Sequence, residues 1–230
     1  MDIPAKFASV KPDVESLLTN FKWRKHPMLP ELEMYCLSKK DNDVKEALTS
    51  NSQSWQWPYL WECGVALSRW ILDNPSIVKD KLVYDVGTGQ GTVAIAAKKA
   101  GAKISIGVDC SVFSEFTLQN NSERNDVITA CYTKNIFQAK IAEQSVVFAS
   151  DVIYGQQTSD MLLERLIEIG ETSTVIIAQS GRTNPKYEVN DDRVHHIMDY
   201  DVPCFTPGLE ITETMPVSLY TCNPLILQDL

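Results

Sequence analysis

The stretch Leu82–Ser111, LVYDVGTGQGTVAIAAKKAGAKISIGVDCS, limits the possible folds more than any other part of the chain. LVYDV reads as a strand, GTVAIAAKKAG as a helix and ISIGVD as a second strand, with glycines at positions 87, 89 and 91 between the first two. A strand, a tight turn, a helix and another strand within thirty residues form a βαβ crossover. Such crossovers are right-handed and lay the two strands parallel.

The alternation continues. SEFTLQNNSERN reads as a helix, VITACYT and SVVFASDVIY as strands, SDMLLERLIEIG as a helix and TSTVIIAQS as a strand. This pattern predicts a doubly wound α/β domain around a mainly parallel sheet. Beyond Ser180 the helices drop out, and VHHIMDYDV and PVSLYTCN follow as strands with short links, which predicts antiparallel pairing at the carboxyl-terminal edge. Upstream, VALSRWILDNP is a helix whose Leu67, Trp70 and Ile71 share one face and which stops at Asn74-Pro75. Residues 1–60 are expected to form an accessory cap, with a short helix in PDVESLLTNFK and a strand in ELEMYCLS, and residues 61–230 the main domain.

At 230 residues the chain holds one well-buried domain. Its net charge of −9 repels a phosphate backbone, so a basic or neutral protein is the expected partner and nucleic acid is not. The six cysteines show no C-x-x-C pair and the three histidines no metal-ligand spacing, which predicts a reducing compartment and no metal site. No apolar run of about eighteen residues is present to span a bilayer, and MDIPAKF resembles neither a secretion signal nor a transit peptide. A cytoplasmic monomer is expected.

In sheets of this type ligands sit outside the carboxyl ends of the strands, where the winding reverses. Val86 to Gly91 lies at the first such end. Glycine there permits a tight turn and close approach of a ligand, and the following helix start offers unpaired N–H groups. Asp109 ends the next strand, at a suitable distance to take two ribose hydroxyls. An adenosine-bearing cofactor follows, against the alternative of a turn that needs glycine for geometry alone. A dinucleotide fingerprint wants G-x-G-x-x-G, whereas this series is G-x-G-x-G (Gly87, Gly89, Gly91, with Thr88 between the first two) after Asp85. That spacing with a preceding acid resembles motif I of the class I S-adenosyl-L-methionine-dependent methyltransferases, whose fold is a seven-stranded, Rossmann-like sheet. The resemblance implies that Asp85 helps hold the cofactor's ammonium, directly or through water, or else braces the glycine turn.

Two further segments narrow the likeness. SDVIYG, Ser150 to Gly155, resembles the D-x-x-Y element of the family 16 seven-strand protein methyltransferases. PYLWECGVALSRWILDNPSIVKDKLVYDVGTGQG is similar to the region entering motif I in the electron transfer flavoprotein β-subunit lysine methyltransferases, where a tryptophan precedes a small-residue turn. That tryptophan is Trp61 here. The resemblance implies transfer of methyl groups to a lysine of a protein substrate, with Asp151 orienting the incoming ammonium and Tyr154 walling the lysine channel. It also implies that Trp61 borders the cofactor, that Asn135 lies near the adenine and that Ser150 sits beside the glycine turn. Gly155 departs from the family, which has an acid there, and so does the helix-poor tail after Gly181; both bear on substrate identity. Rival readings are methylation of a histidine, terminal amine or small metabolite, a non-catalytic binding module, and a nicotinamide-dependent oxidoreductase. The resemblance to enzymes of a mitochondrial flavoprotein also sits against an N-terminus unlike a transit peptide.

Overall fold

The computed structural model describes residues 21–37, 58–153, 156–180, 189, 191–204, 213–224 and 226. In chain order they form β1 (Lys22–His26), β2 (Leu29–Cys36), α1 (Glu62–Asp73), β3 (Leu82–Val86), α2 (Thr92–Lys99), β4 (Ile104–Asp109), α3 (Val112–Arg124), β5 (Ala130–Thr133), β6 (Val146–Ser150), α4 (Gln156–Gly170), β7 (Thr174–Ser180), β8 (His195–Pro203) and β9 (Thr214–Thr221). Seven strands make one sheet in the order β5-β4-β3-β6-β7-β9-β8. β5 through β7 run parallel, and β9 and β8 join as antiparallel neighbours. The expected mainly parallel sheet with antiparallel carboxyl-terminal strands is therefore observed. From β3 the chain winds outward to β4 and β5, then crosses back to β6, so the winding reverses between β3 and β6.

Strand alternation sends each side chain to one face or the other. Val83, Val146, Phe148, Ile176, Val217 and Leu219 meet α1, α2 and Leu118 of α3 on the first face. Tyr84, Val86, Val147, Ala149, Val175 and Ile177 meet Leu162, Leu166 and Ile169 of α4 on the second, where Ile136 and Ala139 from the β5–β6 connection complete the cover. In α1, Leu67, Trp70 and Ile71 are all buried, as their spacing predicts, and the helix stops where Asn74 caps it, its Nδ2 donating to the Trp70 carbonyl at 2.9 Å. Truncating Trp70 to alanine there would cost about 3–5 kcal/mol.

Some boundaries differ from expectation. α1 begins at Glu62, because the Val65 amide bonds the Trp61 carbonyl at 3.0 Å; Cys63 and Gly64 are thus helical and do not form a turn. The strand read over VITACYT starts only at Ala130: Asp126 takes a left-handed conformation and the Val127 amide turns back to the Ser122 carbonyl. The helix expected over PDVESLLTNFK lies outside the described residues up to Asn20, and at Lys22 the chain is already in β1.

The β1–β2 hairpin packs on the first face, with Leu29, Leu32, Met34 and Cys36 joining the core. Its outer edge is covered by asparagines of α3. Asn121 accepts the Tyr35 amide at 2.7 Å, and Asn125 pairs with both the amide and the carbonyl of Glu33. Side-chain amides here occupy the ladder positions that would otherwise leave an open strand edge. At the hairpin's tip His26 accepts the Met28 amide on Nδ1, so Nε2 carries the proton and donates to the Pro203 carbonyl at 3.0 Å. Among the described residues no helix is long and apolar enough to cross a membrane.

Candidate active site

The carboxyl ends of β3, β4 and β6 bring three acids to one rim. Asp85 and Asp109 point to the face of α1–α3, as does Ser150, because each is an even number of residues from a first-face position on its strand. Asp85 is buried. Its Oδ2 accepts the Thr88 hydroxyl at 2.6 Å and the Ala94 amide of α2 at 3.1 Å, while Oδ1 has no partner. Burial pushes its carboxyl up to about 7; the Thr88 and Ala94 hydrogen bonds oppose this and the nearby charge of Asp109 adds to it. The turn-bracing role expected for Asp85 is present.

After β3 the chain passes through positive φ at Gly87 (70°), Gly89 (48°) and Gly91 (81°). Gly87 is exposed on the rim, and a Cβ there would stand 2.4 Å from Val152 Cγ1. Gly91 begins α2, and its Cβ would meet Leu118 Cδ1 at 2.2 Å. Both positions therefore require glycine twice over, for conformation and for space. Asp109 clamps the turn from the neighbouring strand, with Oδ2 accepting the Gly89 amide at 3.0 Å and Oδ1 the Ser111 amide at 2.8 Å. Each carboxylate oxygen keeps a further lone pair, and the residue is half-buried at the rim.

Across the switch point, Ser150 faces the start of α1; its Oγ lies 3.7 Å from where a Cβ on Gly64 would be, an ordinary van der Waals separation. Trp61 caps α1 and stacks edge-on against Tyr59 at 5.9 Å. Asp151 follows in a left-handed conformation, φ 55°, with its amide on the Ala178 carbonyl at 3.1 Å and its Oδ1 accepting the Ser180 hydroxyl at 3.5 Å. A non-glycine residue held at positive φ stores strain, and such strain gathers at functional sites.

Asn135 follows the end of β5, the strand beside β4, and is exposed, its Oδ1 accepting the Phe137 amide in a local turn. Tyr154 and Gly155 fall outside the described residues, as do Gly181, Arg182, Trp55 and Trp57. Cys110 is exposed beside Asp109 and is not the packed thiol that such a position commonly holds. Among the described residues no three His, Cys, Asp or Glu side chains come together as a metal site.

The sequence reading passed over the residues that hold the turn from behind. Thr117 donates to the Gly89 carbonyl at 2.9 Å, Asn121 donates to Gln90, and Gly107 in β4 gives Thr88 room, since a Cβ there would be 2.7 Å from the threonine. The T-x-x-x-N-x-x-x-N spacing of α3 was the available signal.

The residues present fit an adenosylated sulfonium cofactor. Gly87 is exposed at the rim, Asp109 offers free lone pairs at ribose reach, and the buried Asp85 carboxyl has an oxygen still without a partner beneath the turn. The rim as a whole is anionic, which suits a cationic ligand.

Residues 66–184 match the family model of ribosomal protein L11 methyltransferase (PrmA). The chain is similar to the electron transfer flavoprotein beta subunit lysine methyltransferase of Mus musculus, 30% identical over 152 residues that cover 64% of this chain and 59% of the mouse protein. It is 26% identical to the Rattus norvegicus protein of the same name over 210 residues, covering 80% of this chain and 82% of the other. The mouse and human matches thus span about three fifths of those relatives, 59% and 57%. Among solved structures, magnesium protoporphyrin IX methyltransferase from Synechocystis PCC 6803 shares the fold with a TM-score of 0.51 at 13% identity, over 80% of this chain and 92% of that one. The family match runs from within α1 past the end of β7 and so takes in the glycine turn, Asp109 and Asp151; by it, the chain belongs to the ribosomal protein L11 methyltransferase (PrmA) family, on the class I methyltransferase fold.

Proposed function

We propose that this protein is an S-adenosyl-L-methionine-dependent methyltransferase acting on a lysine ε-amine of a protein substrate. The observation that carries the reading is Asp151, a carboxylate held in strained backbone at the end of β6, next to Val152, which packs on Gly87. The similarity to named lysine methyltransferases supports the substrate class.

In this reading Asp109 takes the ribose hydroxyls on its remaining lone pairs while still holding Gly89. The turn of Gly87, Thr88 and Gly89 faces the cofactor with Gly87 exposed, Asp85 supports the turn, and Trp61 and Ser150 border the methyl-bearing side. Asn135 stands near the adenine. When bound, the cofactor supplies a methyl group on a sulfonium whose thioether leaves without needing an acid. The chain's contribution is alignment, which is worth several orders of magnitude in rate. A lysine ammonium, with a reference pKa of about 10.4, must shed a proton before it attacks. Asp151 draws that ammonium in and orients it, water takes the proton, and the Tyr154 ring forms a wall that favours cations.

We place the protein in the cytoplasm as a monomer, with residues 1–60 as an accessory cap to the domain 61–230; its six free thiols support a reducing compartment. Incubating cell extract with labelled cofactor and locating the label by mass spectrometry tests the function. Label on a protein lysine is the expected result. Label on histidine, an amino terminus or a small molecule would replace the substrate assignment.

A further inference from the structure

A polar line runs along one stripe of α3. Thr117, Asn121 and Asn125 are spaced four apart and so stack on a single helix face. Thr117 reaches the Gly89 carbonyl at 2.9 Å and Asn125 holds Glu33 of β2. Asn121, between them, does both jobs. Its Nδ2 donates to the Gln90 carbonyl at 2.9 Å and to Gln90 Oε1 at 3.0 Å, and its Oδ1 accepts the Tyr35 amide at 2.7 Å. Two backbone groups of opposite kind fix the orientation of this amide, since Tyr35 needs an acceptor and Gln90 a donor.

Asn121 and Gln90 are both buried, at 0% and 3% exposure, so bulk water does not replace the bonds if the side chain is lost. Gln90 lies between Gly89 and Gly91, inside the turn. Asparagine is a poor helix-interior residue, and its place here is explained by the two backbone segments that converge on it, one offering an N–H and the other a carbonyl. We propose that Asn121 is a positioning residue for the cofactor turn, and that through it the β1–β2 hairpin and the cofactor site are thermodynamically linked. The name of the ligand rests on the methyltransferase reading; the link itself rests on the hydrogen bonds alone. Linkage is reciprocal, so occupancy of the turn raises protection of the Tyr35 amide by as much as a loosened hairpin weakens binding.

Asn121→Ala and Asn125→Ala separate positioning from simple structural support, because both loosen the hairpin and only the first touches the turn. Two readouts decide: exchange of the Gly91 amide without ligand, which is bonded to the Thr88 carbonyl at 2.7 Å, and S-adenosylhomocysteine affinity by calorimetry. Asn121→Ala is expected to raise both the exchange rate and the Kd about tenfold, the effect of one lost hydrogen bond or a little more. Asn125→Ala is expected to lower Tm comparably and to leave both readouts within about twofold. Equal shifts in the two variants, or none in Asn121→Ala, overturn the proposal. Should Asn121→Ala fail to fold, Gln90→Met removes the Oε1 contact to Asn121 together with the other polar contacts of the Gln90 side chain, and is expected to move both readouts about threefold in the same direction; no movement overturns it. If the wild-type protein binds no S-adenosylhomocysteine, the methyltransferase reading falls, while Gly91 exchange still decides the positioning role.

Discussion

Asp109 at the end of β4 accepts the amide of Gly89, twenty residues earlier, at 3.0 Å, and its other oxygen takes the Ser111 amide. The carboxylate therefore closes the glycine turn as well as lining the rim. Hydrogen bonds to a charged group contribute about 1.5–3 kcal/mol each. Asp109→Ala is expected to lower Tm measurably and to weaken S-adenosylmethionine binding by about tenfold or more. Thermal denaturation and calorimetry check the pair; weakened binding at unchanged Tm would show that the clamp contributes nothing to folding.

Asp151→Asn keeps the shape and suits the left-handed backbone, which asparagine tolerates better than most residues. It removes the charge and turns one acceptor oxygen into a donor. Turnover is expected to fall by about 100-fold or more, the scale of a misplaced reactant, with cofactor affinity within about twofold and Tm unchanged. Steady-state kinetics beside a binding titration decides, and a parallel loss of cofactor binding would contradict the positioning role.

Gly87→Ala meets two obstacles, a φ of 70° and Val152 Cγ1 at 2.4 Å from the new Cβ. The backbone part costs about 1–2 kcal/mol. Adding Val152→Ala removes the overlap and leaves the backbone cost. Denaturant unfolding of both proteins is expected to show the double variant more stable than Gly87→Ala and still below Val152→Ala alone.

Asp85 has a folded-state pKa of about 7 against a reference of 3.8, so between these values the native state binds more protons than the unfolded one. Stability from this group is fully present below about pH 4 and is lost as pH rises through about 7. Asp85→Asn does not titrate. The wild-type protein is expected to lose on the order of 3 kcal/mol between pH 4 and pH 8 relative to this variant, read from urea midpoints across that range. Parallel pH profiles would place Asp85 in a far more polar setting.

Much of this was legible from local pattern. The βαβ periodicity between Leu82 and Asp109 was enough for a parallel sheet, because a right-handed crossover leaves few alternatives. Glycine spacing marked the turn for the same kind of reason, since Gly87 and Gly91 need φ values that other residues rarely adopt. Boundaries were less legible. The resemblance implied a small-residue turn after Trp61, whereas Glu62, Cys63 and Gly64 are helical, because the Val65 amide bonds the Trp61 carbonyl and the first turn of α1 is buried against the sheet.

The chain's order of elements, the position of the glycine turn and the acids that end its strands were determined by the sequence itself, since propensity and periodicity act over neighbouring residues. Only the tertiary structure decided that Asp85 is buried with a raised pKa, that Asp109 grips Gly89, and that Asn121 ties Tyr35 to Gln90. Those are contacts between residues nine to eighty-six apart in the chain, and burial and partnership at such separations follow from how helices and strands pack, which no local pattern encodes.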